Sequence, residues 1–325
     1  MNPFSCARVA RARGLTLAEL MVALALGLLV VLVGGALLVS SSASYLSQSE
    51  AARLDDSGRY ALATIGRAIR QTAFVNWEGA EAPLGARPED SASIGGLDNH
   101  SLGRAGAGIE LPLPAAAAIN GSDVLAVRYF GAGTGADGDG SVINCAGFGV
   151  GAAASEAQRG WSIFYVATDA AGETELRCKY RGEHSWGADA IVRGVDSFQV
   201  LYGLDSDEPA DGVANQYLNA SAINVLDDGL ALDGADAAAR ARDKNAKTHW
   251  KRVVSIKLAL LLHGARASAP DDAPALFELF GKAYADAYGA VDPGVRIDER
   301  TLPAGQRGRA RYLVVATILL RNRPA

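Results

Sequence analysis

The sequence predicts an α+β fold in which one long amino-terminal helix packs on a carboxy-terminal domain with an antiparallel β-sheet. Three observations carry this. Leu20 to Val39 contains no charged residue and no proline; Leu54, Gly58, Ala61, Leu62, Ile65 and Ile69 then recur at three- and four-residue spacing; and six runs rich in β-branched and aromatic residues follow. A long helix ahead of a succession of strands reads as α+β rather than as alternating βαβ units.

Twenty apolar residues at about 1.5 Å each span the ~30 Å hydrocarbon core of a bilayer. Arg8, Arg11 and Arg13 precede this run with no acid among the first fourteen residues, so the positive-inside bias keeps that end in the cytoplasm and exports the remainder. An ordinary secretory signal has the same plan, but its apolar core is shorter, about 7 to 15 residues. Glu19 also stands directly before the run, where a carboxylate at the lip of a membrane helix costs free energy and implies a use.

Beyond the bilayer, Asp55, Asp56, Arg59, Arg67 and Arg70 fall between the apolar positions, which is amphipathic helix periodicity over about 45–72. With few helix breakers from Thr16 to about Thr72, one continuous helix of ~85 Å is expected. Residues 76–121, rich in Gly, Ala, Pro, Ser and Asp, read as an irregular connection. Strands are expected at Asp123–Phe130, Trp161–Val166, Leu176–Tyr180, Val195–Tyr202, Val253–Leu262 and Tyr312–Leu320, and a further helix at Ala275–Tyr288, ending at Gly289.

The chain carries a formal charge of −5, and without the three leader arginines 28 basic residues face 36 acidic ones, or −8. Such a chain is a poor nucleic-acid binder. Gly133-Thr134-Gly135-Ala136-Asp137-Gly138 fits G-x-G-x-x-G, yet no helix pattern follows, and Asp137 and Asp139 would repel a pyrophosphate. Asp205, Asp207 and Asp211 form a weak candidate calcium loop whose EF-hand register fails at Pro209. The four histidines are scattered, and neither a catalytic constellation nor a cofactor motif is visible. Of three cysteines, Cys6 lies ahead of the apolar run, which leaves Cys145 and Cys178 as the expected disulfide of an exported domain.

The stretch Arg13-Gly14-Leu15-Thr16-Leu17-Ala18-Glu19-Leu20 resembles the class III leader junction of type IV pilins and type II secretion pseudopilins. The resemblance implies that a prepilin peptidase removes residues 1–14 by cutting after Gly14, that Leu15, where the family usually has Phe, is N-methylated, and that Glu19 guides docking into a filament. Four residues apart on a helix, Glu19 and the new amine of Leu15 would share one face. Ser57-Gly58-Arg59-Tyr60-Ala61-Leu62, Ser122-Asp123-Val124-Leu125, Gly194-Val195-Asp196-Ser197-Phe198-Gln199-Val200 and Leu320-Arg321-Asn322-Arg323, in this order, look like the PilW family of minor pilins. That family implies a non-enzymatic assembly protein without cofactor. A long helix over 15–75 would hold it in the inner membrane through about 20–39, with a head at 122–325 in the periplasm and later on the pilus. Its implied partners are the peptidase, other minor pilins, the major pilin, a tip adhesin and membrane lipid; its implied roles are priming of the filament, adhesion and twitching motility. A type II secretion pseudopilin shares the leader and helix. A membrane-anchored periplasmic enzyme or binding protein would need a pocket of convergent polar groups, which the sequence does not mark.

Overall fold

The computed structural model describes residues 14–76, 87–106, 108–109, 118–182, 184–267 and 274–322. Arg8, Arg11, Arg13, Cys6 and Arg323 lie outside them. The chain divides into two units, residues 1–50 and residues 51–325. A single helix, α1 (Leu17–Gln71), supplies the described helical part of the first and opens the second.

In the first unit the side chains of α1 are exposed around its whole circumference, and its apolar window has a mean hydropathy of 2.9. A helix apolar on all sides belongs in lipid or among other helices. From Leu54 onward the pattern changes, and Leu54, Gly58, Ala61, Ile65, Ala68 and Ile69 are buried as the sequence periodicity predicts.

Five strands form the first sheet, β1 (Ile94–Leu97), β2 (Val124–Tyr129), β3 (Gly160–Thr168), β4 (Thr174–Arg181) and β5 (Trp186–Arg193), paired in sequence order as an antiparallel meander. After Gly194 the chain continues as β6 (Val195–Leu204), β7 (Gln216–Leu218), α2 (Ala220–Asp228), α3 (Ala237–Lys247), β8 (Val253–Ala267), β9 (Leu276–Glu278), α4 (Lys282–Tyr288), β10 (Arg296–Asp298) and β11 (Arg309–Leu319). The second sheet has the order β11-β8-β6-β7, all antiparallel, and β9 pairs with β10 alone. Gly194 is the single residue between the two sheets. Its φ of +74° is one that side chains rarely adopt, and a Cβ there would lie 2.6 Å from the His263 carbonyl oxygen.

The apolar face of α1 packs on the second sheet. A Cβ on Gly58 would stand 2.7 Å from Val314 Cγ2, and one on Gly66 would stand 3.3 Å from Ile318 Cδ1. Both glycines therefore let the helix approach β11 closely. The Tyr312 hydroxyl donates to Asp55 Oδ1 at 2.8 Å, and Asn322 Nδ2 donates to the Thr72 carbonyl at 3.0 Å, fixing both ends of the contact.

The strand expectations match β2, β3, β4, β6, β8 and β11, but three expectations need correction. The connection 76–121 contains β1, whose Ile94-Gly95-Gly96-Leu97 hides its strand character; Gly96 leaves room for Tyr202, whose hydroxyl would lie 1.9 Å from a Cβ. Helix is not confined to the amino terminus and 275–288, since α2 and α3 also form, each opened by a side-chain cap, from Asn219 to Ala222 N–H and from Asp236 to Ala239 N–H. In the third case Leu276–Glu278 is a strand, and the helix starts only at Lys282, after Gly281 at φ +89°.

Cys145 and Cys178 are bonded with 5.8 Å between their Cα atoms, tying the glycine-rich loop after β2 to β4. The Cys145 N–H donates to Ser162 Oγ at 3.0 Å, so the loop is anchored to β3 as well. Closing a loop of about 34 residues constrains the unfolded chain by about 3–4 kcal/mol. The double variant Cys145→Ser/Cys178→Ser should lose about that much stability in denaturant melts while keeping its sheet signal in circular dichroism.

Candidate functional site

The amino-terminal junction is built around a helix start. Thr16 caps α1: its Oγ1 accepts the N–H of Glu19 at 3.2 Å, and Glu19 Oε2 accepts the Thr16 N–H at 2.9 Å and its hydroxyl at 3.0 Å. This is a capping box, legible in the sequence as Thr-x-x-Glu before an apolar run. It changes one expectation. Because the helix begins at Leu17, Leu15 lies outside it and does not share a helical face with Glu19; the carboxylate is held by Thr16, next to the residue whose amine cleavage would expose. Glu19 also sits at the positive end of the helix dipole, where an anion is favoured. Gly14 has open space where a Cβ would stand, so neither crowding nor backbone requires glycine there. Gly14 and Leu15 are both exposed.

The carboxylates of Asp205, Asp207 and Asp211 come within 4.8 Å of one another. Protein donors already occupy them. Asp205 accepts the N–H groups of Asp207 and Gly212 at 3.1 and 2.6 Å, Asp207 accepts Asn215 Nδ2 at 3.0 Å, and Asp211 accepts the Val213 N–H at 2.7 Å. Arg252 caps the same loop, donating to the carbonyls of Asp205 and Asp207 at 2.9 and 2.8 Å. Its ion pair is with Glu208, at 3.1 Å. In the G-x-G-x-x-G loop, a Cβ on Gly133 would lie 2.4 Å from Asp139 N, and one on Gly138 would lie 2.0 Å from the Ala132 carbonyl oxygen, so these glycines serve the loop's own packing.

Sequence reasoning missed a buried charge cluster. His263 on β8 bonds Asp196 Oδ1 through Nδ1 at 2.8 Å and Glu173 Oε1 through Nε2 at 2.5 Å; Arg311 on β11 donates to Asp196 Oδ2 and to Glu299 Oε1, both at 2.7 Å. Asp196, His263, Arg311 and Glu299 have almost no exposed side-chain surface. The cluster joins three strands of the second sheet to the β3–β4 turn and to the 3-10 turn after β10. Its only signals in the sequence were Asp196 in the quoted Gly-Val-Asp-Ser segment and a histidine directly after the apolar stretch Leu258–Leu262. A second buried carboxylate, Asp123, accepts the N–H groups of Asn99 and Val200 at 3.1 and 2.9 Å and so bonds the start of β2 to β6. Burial and then the charge of Asp98 push its pKa well above the usual carboxylate range.

Burial alone would lower the pKa of His263, but Asp196 first and Glu173 second hold it above its ordinary value of 6.5. Asp196 lies below its ordinary 3.8, because bonding to His263 and then to Arg311 outweighs burial. The histidine's contribution is complete below pH 6.5 and is lost as pH rises through its raised folded value; that of Asp196 is present above 3.8 and is lost as pH falls through its depressed one. Thermal melts should therefore show greater stability at about pH 5.5 than at about pH 8, and His263→Gln should narrow that difference. Asp123 titrates with the same sign as His263, and the comparison with His263→Gln cancels it. Removing one partner of the cluster, as in Arg311→Met, strands Asp196 and Glu299 and should cost about 3–5 kcal/mol.

Residues 163–322 match the family described as Type IV Pilus-assembly protein W, PilW, which spans β3 to the end of β11. No curated protein and no solved structure matches the chain.

Proposed function

We propose that this chain, whose residues 163–322 match the PilW family of type IV pilus-assembly proteins, is a minor pilin that primes or joins the pilus filament. The observation that carries the reading is the pairing of that family match with a helix whose amino-terminal half is apolar on every side. In this reading residues 1–14 are removed by a prepilin peptidase, Leu15 becomes the methylated amino terminus, and α1 first anchors the chain in the inner membrane with the head in the periplasm. Extraction into the filament exchanges lipid for the helices of the major pilin and other minor pilins. Adhesion and twitching motility follow as properties of the filament, with a tip adhesin among the partners.

Glu19 then has two tasks. It completes the capping box with Thr16, and its charge seeks the amine of an adjacent subunit, because an unpaired carboxylate among apolar helices is costly. An incoming helix at the wrong depth leaves that charge unpaired. Glutamine can serve in a capping box but carries no charge, so Glu19→Gln separates the tasks and Glu19→Ala removes both.

Amino-terminal sequencing of the membrane-bound protein should read Leu15 as the first residue; a start near Ser44 would indicate ordinary signal-peptidase cleavage and remove the pilin reading. Immunoprecipitation from sheared surface filaments, followed by mass spectrometry, should recover the protein with other pilins. In the same fractions Glu19→Gln and Glu19→Ala should both be inserted and cleaved, yet each should enter filaments about tenfold less than wild type, the equivalent of 1.4 kcal/mol. Undiminished incorporation of Glu19→Ala would end the proposed role of the charge.

A further inference from the structure

Strand β11 ends one side of the second sheet, and among the described residues it pairs only with β8. Leu320 N–H donates to the Val254 carbonyl at 3.0 Å, and the register runs from Leu319↔Ser255 through Arg311↔His263 without a break. Antiparallel pairs alternate, so Tyr312, Val314, Ala316 and Ile318 exchange their backbone bonds with β8. The N–H and C=O groups of Leu313, Val315, Thr317 and Leu319 consequently point away from the sheet. No backbone bond to them comes from another described strand.

Sheet edges invite pairing with other chains, and proteins usually blunt them with short strands, glycine, charge or bulges. The other edges of the two main sheets follow that rule. β1 has four residues with two glycines, β7 has three residues, and β5 carries Gly187, Asp189 and Arg193 with a bulge against β4. β11 does not. Tyr312 to Leu320 is nine residues without a charge, a glycine or a proline, and Val315, Thr317 and Leu319 are exposed on the face away from α1.

We propose that the outer edge of β11 accepts an extended strand from a neighbouring pilus subunit, adding a fifth strand to the second sheet. This rests on the pilus-assembly reading. The chemistry of the edge defines the occupant: backbone groups spaced for an extended strand, with an alternating apolar set to meet Val315 and Leu319. Charge narrows it further. Arg321 lies exposed just beyond the strand, exposed Arg70 reaches the same point of α1, Gly66, as Ile318 does, and β11 contributes no acid; Asp55, which bonds Tyr312 at the other end, is ion-paired with Arg59. The entering strand should therefore carry acidic residues beside its apolar stretch. A second β11 fits poorly, since two identical edges would pair about a two-fold axis and close a dimer instead of propagating head to tail.

Proline at 315 tests this, because it removes an outward N–H and leaves the β8 ladder intact. Val315→Pro should melt close to wild type as purified full-length protein in detergent and should be inserted normally, yet enter sheared filaments about tenfold less; Val315→Thr, which keeps the N–H, should enter normally. Incorporation of Val315→Pro at the wild-type level would overturn the proposal. Absence of the wild type from filaments would instead defeat the pilus-assembly reading, and a second measurement then judges the edge alone. A synthetic peptide of alternating Val and Thr with Asp and Glu ends should bind the full-length protein in detergent, and the same peptide with alternate backbone amides N-methylated should not. Equal binding of the two peptides would overturn the edge-pairing mode. A concentration-dependent dimer of the wild type, abolished in Val315→Pro, would overturn the assigned partner in favour of a second copy.

Discussion

The compact unit depends on the apolar face that α1 presents between Leu54 and Ile69. That face is not wide, and two of its positions are glycines. Each brings the helix backbone close to β11, so that Val314 and Ile318 fill the space a side chain would have taken. Ala61, Ile65 and Ile69, all fully buried, complete the contact. Interiors pack near crystal density, so a helix placed this closely fixes the sheet beneath it.

Polar ties then set how the two sheets meet. Gly194 turns the chain from one sheet to the other within a single residue, and the carboxylate of Asp123 bonds the β6 backbone from the β2 side. The Asp196–His263–Arg311–Glu299 cluster does comparable work at the far end of β6, β8 and β11. Buried ion pairs contribute little net stability relative to apolar residues of the same volume, because desolvation offsets most of their attraction. Their geometry is selective, however: each oxygen accepts from a defined donor, and a register slip along β8 or β11 would strand several buried charges together. Uniqueness of pairing is thus the more important consequence.

The sequence made legible what depends on period and run length. The apolar run, the helical spacing from Leu54 to Ile69 and six of the strands follow from side-chain pattern alone. What it concealed depends on partners distant in the chain. Gly96 of β1 has no side chain because Tyr202, about a hundred residues later, occupies the space above it. α3 buries none of its residues, so it has no apolar stripe to find, although Asp236 and Asn219 were readable as caps. His263 and Asp196 are 67 residues apart, and no local pattern could have joined them. At the amino terminus the reverse held: the Thr-x-x-Glu signature was present in the sequence, but a helix assumed to run through Leu15 obscured that Thr16 is its cap.

Two of the surfaces left uncovered among the described residues differ in what they can specify. The amino-terminal half of α1 is apolar all round. Apolar burial is non-directional, so it stabilises any close packing and sets axial position weakly, except where Glu19 adds a charge at one end. The β11 edge has the opposite character: its outward groups recur every second residue, and a slip of one residue exchanges the two faces of an incoming strand. A helix of this kind can supply most of the free energy that holds a subunit, and a strand edge can supply the register that says which neighbour is held and at what height. The cost of leaving such an edge bare is a risk of unspecific pairing before assembly. In the assembly reading proposed above, a head tethered to a membrane until its extraction meets fewer partners, which gives a physical reason for the bare helix and the bare edge to occur together.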